Sequence, residues 1–560
     1  MRQGLFYTFS RITALAALYL VFATTSLHAY ERECGTMQVL EQLIQKRKHS
    51  QYHAQTLYSA KSNTEEAKKC PAEVFYDSVY TIETPHFQVM YVLTGPHATT
   101  HAFADSTAAS MEEAWNFYVN KKKMKAPKGP KISHHFQQKI KDGLYAVEII
   151  ELNQAREGLF SGCTECFALT VPIDDINGTS QIFMDNDFYY PSPLDKDADT
   201  IFVNGDTCTY VKPSLQLSNT TYNYSYAEKW AKGVRLTSFH ELYHAVQLTY
   251  VSMFVTDTFW FEASATGYEE ITNPEVDDYH RYIHDIFDRM EKPLSSKFRN
   301  YAASTLFLYL YNRVSSELDK SIWESYSNNP YQDFDFQLSS VLKPKELDAD
   351  SIFHDFAVRL SFSGNRSADI KKKEWINDDQ SQWSNAKFLV KDSIKPSLES
   401  LAFTYYRIPQ SYTSRYTADF TNFIGKGSIV VYNDGKATIH KLQNNKTLDS
   451  LLTILATADS STWIFSRLGK SESIPIVHNA QPPHAYPVPW KNGALCFAPL
   501  PQDKKFIEIR NRRGDLVSQE KYEGTSFCLQ EEQVKSMMAP GVYRFRVGNK
   551  GKTTSFIIAY

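Results

Sequence analysis

The sequence of 560 residues has no long apolar run beyond its N-terminal region and no excess of either charge. Lysine and arginine number 60 against 63 aspartates and glutamates, so the net charge of -3 offers no general attraction to nucleic acid or to an anionic membrane. A membrane-spanning helix needs about 20 consecutive apolar residues, and no later stretch supplies them. No internal repeat is visible. The sequence therefore predicts neither a nucleic-acid partner nor a membrane span.

Cysteine is scarce and odd in number, with seven residues, and the sequence contains only one C-x-x-C pair, Cys163 and Cys166. Without a second such pair a zinc knuckle is incomplete, and no thioredoxin-like pattern surrounds this one. A structural disulfide from Cys208 to either of them is therefore preferred over a redox pair. Proximity in the sequence predicts two further disulfides, Cys34 with Cys70 and Cys496 with Cys528.

Residues 1–29 have the pattern of a secretory signal peptide. Arg2 precedes an apolar run from about Ile12 to Phe22, and Ala29 suits the last position before cleavage. The run is short for a membrane span and no stop-transfer pattern follows it, which leaves a signal anchor as the alternative. We expect a secreted or cell-surface protein, with the periplasm as the alternative location, and export permits disulfides.

Changes of pattern divide the remaining chain into four regions. Residues 30–80 are polar and helical in pattern, and form either a pro-region or a docked helical segment. In residues 81–395, strand patterns precede the central helices and further helices follow, which favours an α+β domain. Residues 396–480 alternate like strands separated by turns, as in a β-sandwich, and a proline-rich link introduces a last β-rich domain at 481–560.

The sequence His240-Glu241-Leu242-Tyr243-His244 carries the clearest chemistry. Residues four apart share one face of a helix, so the two histidines can bind one metal ion while Glu241 faces what the ion holds. The buried helix that such a site needs is indicated by apolar neighbours, which disfavours a chance match. We expect a Zn2+ site at which Glu241 acts as general base on water.

A third ligand is needed, and Glu262, in the next predicted helix, is the natural candidate. Together with Trp260-x-Glu262-Ala263-x-Ala265, the motif resembles the gluzincin metallopeptidases, particularly secreted bacterial gluzincin-like proteases, over about residues 85–330. The resemblance implies a zincin-like α+β domain with His240, His244 and Glu262 as zinc ligands and Glu241 as catalytic base. Alanine follows the third ligand where the family usually has glycine, and the G-x-M-E-N exopeptidase motif is missing, so aminopeptidase specificity is not implied.

The same resemblance suggests further residues around this site. Tyr301 corresponds to a tyrosine that stabilises the oxyanion, with an ordinary packed tyrosine as the alternative. Glu269 or Glu270 could orient a ligand histidine, although exposed helix carboxylates are the preferred interpretation of both. In such domains an edge strand of the sheet pairs with the extended substrate, and Ile182–Phe188 is the predicted edge strand.

The C-terminal domain resembles the sorting tail of type IX secretion substrates. The resemblance is carried by Phe506–Val517, by Pro540–Val547 and by the closing Ser555–Ile558. It implies the secretion machinery as a partner, while an unrelated small β-sandwich is the alternative.

The whole sequence therefore predicts a multidomain protein with a zincin-like α+β catalytic domain followed by two β-sandwich-like domains. Its expected function is that of an exported zinc-dependent endopeptidase acting on protein or peptide substrates. One alternative is a zinc hydrolase of a non-peptide amide or ester. The other is a surface binding protein with a vestigial zincin domain, for which the 35 tyrosines are a reason.

Overall fold

The backbone of this protein, seen in a computed structural model, is described for a defined set of residues. These are residues 36, 78–152, 166–174, 178–188, 198–203, 206–211, 230–251, 259–296, 299–389, 397–409, 425–442, 454–455, 457–469, 483–498, 500–501, 506–524, 526–548 and 553–559. Side chains are described for the same residues except 174, 198–203, 206–211 and 408–409. The predicted signal peptide, the Cys34–Cys70 pairing and almost all of residues 30–80 lie outside this set.

The chain divides into two compact units, Met1–Lys470 and Ser471–Tyr560, and mixes helices with several small separate sheets. The α+β character is confirmed at this level, while the zincin-like and sandwich assignments stay predictions. The strands of the first unit are β1 (Tyr80–Glu83), β2 (Phe87–Tyr91), β3 (Tyr145–Ile150), β4 (Ala168–Asp174), β5 (Thr179–Asp185), β6 (Ala198–Val203), β7 (Asp206–Val211), β8 (Ala402–Pro409), β9 (Lys426–Asn433), β10 (Lys436–Leu442) and β11 (Ser460–Arg467). Its α-helices are α1 (His101–Trp115), α2 (Trp230–Gln247), α3 (Phe259–Thr272), α4 (Ser304–Tyr309), α5 (Leu318–Asn328), α6 (Phe334–Leu342) and α7 (Ala349–Leu360).

A five-stranded mixed sheet in the order β1-β2-β3-β5-β4 supports the first half of this unit. Strands β2, β3 and β5 run parallel, whereas β4 runs antiparallel to β5. Ile182 of β5 pairs with Val147 on one side and with Thr170 on the other. The prediction of an edge strand at Ile182–Phe188 is therefore wrong, because β5 has a neighbour on each side. Among the described strands β4 forms this edge of the sheet.

Helix α2 packs against β4 and β5 of this sheet and against helices α1 and α3. Helix α1 begins at Thr100, whose hydroxyl accepts the N–H of Phe103, and packs against β2 and α2. Apolar side chains cover most of α2, and Phe239, Leu242 and Val246 are buried in the main core of the unit. A helix that is buried all round needs a special reason for its polar residues. Those of α2 include both histidines of the motif.

The second half of the unit is helical and ends in a four-stranded antiparallel sheet, β10-β9-β11-β8. Stretches of other helix types lie between the helices, the longest of those described being the 3-10 stretch at Asp278–Phe287, of 10 residues. Helix α7 packs on the sheet, where His354 lies within hydrogen-bond distance of Ser466 and Ser428, and Tyr405 donates to the carbonyl of Ala357. This sheet thus shares a core with the helices before it.

The second unit has its own apolar core between two small antiparallel sheets and a short helix. Its elements are β12 (His484–Tyr486), β13 (Leu495–Ala498), β14 (Phe506–Asn511), β15 (Leu516–Lys521), β16 (Phe527–Leu529), α8 (Glu531–Met537), β17 (Gly541–Val547) and β18 (Thr553–Ile558). A disulfide joins Cys496 of β13 to Cys528 of β16, as predicted. In the first unit Cys166 is also disulfide-bonded. Among the described residues, no helix has the length and apolar character needed to cross a bilayer.

Candidate metal centre

The two histidines of the motif meet on one face of α2. His240 and His244 are one turn apart and buried, and their Nε2 atoms lie 3.0 Å from each other. Helix α3 returns beside α2 and brings Glu262 to the same point. Its carboxylate oxygens lie 3.3 Å from Nε2 of His240 and 3.6 Å from Nε2 of His244. The structure thus brings together the three residues predicted as ligands. Each offers one ligand atom, and these atoms all lie within 4.8 Å of one another.

The remaining ring nitrogens face hydrogen-bond acceptors. Nδ1 of His240 lies 2.6 Å from a carboxylate oxygen of Glu269, and Nδ1 of His244 lies 2.7 Å from Oε1 of Gln247. The amide of Gln247 is oriented by its own donations to the carbonyl of Phe261 and the hydroxyl of Ser264. Because both Nδ1 atoms have acceptors opposite them, we assign the protons to Nδ1, which leaves the Nε2 lone pairs pointing at each other.

This arrangement fits a metal ion. Both oxygens of the buried Glu262 carboxylate accept no hydrogen bond among the described residues, although two Nε2 atoms stand within ion-pair distance. Two converging lone pairs and an unpartnered buried carboxylate repel one another unless a cation lies between them. Two histidines and one carboxylate are the donor set of catalytic zinc sites, with a position left for water or substrate.

The pKa values at this site are shifted by the close approach of the buried histidines and carboxylates. Burial lowers the pKa of the His240 imidazole, but the carboxylates of Glu269 and Glu262 outweigh it and raise that pKa to about 10. Burial raises the pKa of Glu262, and His244 and His240 reverse this effect and hold it well below its usual range. The surroundings therefore favour a positive charge between His240 and Glu262, which either a metal ion at the Nε2 lone pair or a second proton on His240 can supply.

Glu241 lies on the same helix, with its carboxylate turned toward the edge strand β4. Its Oε2 accepts hydrogen bonds from the hydroxyls of Thr170, at 2.8 Å, and Thr36, at 3.0 Å. The Thr170 hydroxyl also lies 2.8 Å from the backbone carbonyl of Glu241. Neither threonine was predicted at the site, because no sequence motif marks them and the predicted edge strand corresponds to β5.

The other predicted site residues have different positions. Tyr301 precedes α4 and stacks on Tyr282, with ring centroids 4.7 Å apart, and its oxyanion role stays a prediction. The preferred interpretation of Glu269 and Glu270 as exposed carboxylates is wrong, because both are buried. Glu269 orients His240, which was the alternative, whereas Glu270 accepts a hydrogen bond from Asn377.

A buried carboxylate outside the motif connects the helices behind the centre. Asp319 of α5 accepts hydrogen bonds from the hydroxyl of Tyr243 on α2 and from the indole N–H of Trp260 on α3. Burial raises the pKa of Asp319 to about 7 although these donors lower it. The network fixes α2 and α3 against α5, and hence the histidines against Glu262.

A second group with metal-ligating side chains consists of Asp277, His280 and Asp379. The oxygens of Asp379 already accept four hydrogen bonds, from Tyr279 at 2.5 Å, His280 at 2.6 Å, Asn377 at 2.8 Å and Trp383 at 3.1 Å. A carboxylate oxygen has about two acceptor positions, so this carboxylate has none left for an ion. We interpret the group as a hydrogen-bonded histidine–carboxylate network.

Comparison with known proteins adds little. No protein-family model matches the chain, and no curated protein matches it. Among solved structures, one match is PorZ of Porphyromonas gingivalis, described as an essential bacterial surface component of the type-IX secretion system. The match has 18% identity, covers 18% of this chain and 14% of that chain, and has a TM-score of 0.14. A likeness this slight supports no inference about fold or function.

Proposed function

We propose that this protein is a zinc-dependent endopeptidase of the gluzincin type. The observation that carries the proposal is the convergence of the two Nε2 atoms on the Glu262 carboxylate, which accepts no hydrogen bond from the described residues, with both Nδ1 atoms held by acceptors. His240, His244 and Glu262 would hold the ion. Lewis acidity toward water and toward a scissile carbonyl is the chemistry that zinc supplies at such a site.

In this proposal the chain's own residues perform the proton transfers. The carboxylate of Glu241 accepts a proton from the attacking water and delivers it to the leaving nitrogen of the peptide. The Thr170 hydroxyl fixes the Glu241 side chain through Oε2. Glu269 and Gln247 fix the rings of His240 and His244, so that Nε2 of each faces the centre.

The proposal also covers the export and the location of the protein. We infer export through the signal peptide at residues 1–29, a secreted or cell-surface location, and a sorting role for residues 481–560 toward the secretion machinery. Support for this part comes from the sequence patterns alone.

The Glu241→Gln variant tests the peptidase. It keeps the shape and the acceptor oxygen but removes the base, so we expect zinc content to stay at wild-type stoichiometry while cleavage of unfolded casein falls at least about a hundredfold. Glu275→Gln, at an exposed position between α3 and the 3-10 stretch, is the matched control and should cleave like wild type.

Two outcomes would redirect the proposal. Absence of zinc from the wild-type protein would contradict every zinc-hydrolase interpretation. Stoichiometric zinc with no cleavage of any peptide would favour a hydrolase of a non-peptide amide or ester.

A further inference from the structure

Thr36 belongs to the N-terminal segment, yet its side chain lies completely buried beside the proposed base. Its hydroxyl donates to Oε2 of Glu241 at 3.0 Å and accepts the backbone N–H of Thr170 at 2.7 Å. These partners lie 205 and 134 positions further along the chain. The contact is thus a specific tertiary contact, made at the candidate centre by a residue that precedes the whole catalytic region.

Both partners of Thr36 are groups that a peptide substrate would need. Thr170 lies on β4, which pairs with β5 on one side and with none of the described strands on the other. An N–H on an edge strand binds the carbonyl oxygen of an extended peptide. Glu241 must accept the proton of the attacking water. The Thr36 hydroxyl acts as acceptor toward Thr170, as a substrate carbonyl would, and as donor toward Glu241, as water would.

We propose that Thr36 keeps the full-length protein latent by holding the place of substrate at Glu241 and at the edge of β4. The inference rests on the proposed peptidase function and adds how that site is regulated and which backbone group receives the peptide. Withdrawal of Thr36 frees the Thr170 N–H for a peptide carbonyl and removes a hydroxyl donor from Oε2 of Glu241.

A positioning role for Thr36 and a latency role predict opposite effects of its removal on the cleavage rate. If Thr36 positioned Glu241 for catalysis, its removal would lower kcat and leave KM unchanged. Under latency its removal raises kcat/KM, chiefly through a lower KM, because peptide no longer competes with Thr36 for the β4 edge.

The test uses three variants of the full-length chain. Thr36→Asp places a second carboxylate against Glu241 and should expel the contact by charge repulsion. Thr36→Val keeps the shape and removes both hydrogen bonds, whereas Thr36→Ser keeps both. Thr438→Asp introduces the same charge at an exposed position of β10 and is the matched control.

Two readouts are measured for each variant. The first is kcat/KM of the zinc-loaded protein on an unfolded peptide, and the second is the affinity of the metal-free protein for that peptide by fluorescence anisotropy. We expect Thr36→Asp and Thr36→Val to raise both by about tenfold, the usual scale of a lost charge-assisted hydrogen bond. Thr36→Ser and Thr438→Asp should match wild type. Should Thr36→Asp prove unfolded by its melting temperature, Thr36→Val alone decides.

The results separate this inference from the proposed function. Lower kcat at constant KM, or unchanged peptide affinity in Thr36→Val, overturns latency even where Glu241→Gln abolishes cleavage. Tighter peptide binding without cleavage in any variant supports the role of Thr36 and contradicts the peptidase.

Discussion

At the scale of single residues, the candidate centre depends on what stands behind each ligand. Glu269 accepts from Nδ1 of His240 in a fully buried contact, which fixes the tautomer and makes Nε2 a better donor to a metal. We predict that Glu269→Gln weakens zinc affinity about tenfold and Glu269→Ala by up to about a hundredfold, measured by competition with a chromophoric chelator. Glu270→Gln, one position along α3, should leave zinc affinity unchanged, since Glu270 contacts Asn377 instead. Equal losses in Glu269→Ala and Glu270→Gln would contradict this role.

The residues of this site differ in how far the sequence alone predicts them. His240 and His244 were predictable because helical periodicity alone places them on one face. Glu262 was a candidate because the next predicted helix follows at a distance that allows it to return beside them. Thr170 and Thr36 were not, since they reach Glu241 across 71 and 205 positions through strand order and an N-terminal segment that periodicity does not locate. Long-range contacts of small polar side chains leave no pattern in the sequence.

At the scale of elements, helices α3 and α4 approach closely at Gly267. A Cβ atom there would lie 2.0 Å from the ring of Phe307, which is buried in the main core. We predict that Gly267→Ala destabilises the fold by about 1–3 kcal/mol in urea unfolding, because overpacking displaces α4 from α3. In Gly541→Ala the new Cβ would meet nothing nearer than 3.9 Å, so this control should change stability far less. Equal effects of the two substitutions would contradict overpacking against Phe307 as the cause.

Element types were easier to predict than their arrangement. Strands were predicted before the central helices, and β1 to β5 lie there; the motif correctly predicted the helix α2. The order β1-β2-β3-β5-β4 could not be read, because alternation marks which face of a strand is buried and says nothing about which strand is its neighbour. The predicted edge strand failed for this reason.

At the scale of the whole molecule, the two units have separate cores and separate candidate stabilising devices. In the first unit a metal ion would join α2 to α3, and in the second a disulfide closes a loop between Cys496 and Cys528, 32 positions apart. An ion at about a hundred times its dissociation constant stabilises the native state by about 2.7 kcal/mol. A disulfide across a loop of this length contributes about 3–4 kcal/mol.

We predict that each device protects its own unit, as measured by hydrogen exchange with mass spectrometry on the full chain. Removal of zinc with a chelator should speed exchange in α2 and α3, because His240, His244 and Glu262 are then left facing one another without a cation. The double variant Cys496→Ser, Cys528→Ser should instead speed exchange in β13 and β16, which the disulfide links directly. Each perturbation is the control for the other. Exchange in β13 and β16 that responds to the chelator as strongly as exchange in α2 and α3 would contradict a metal site confined to the first unit.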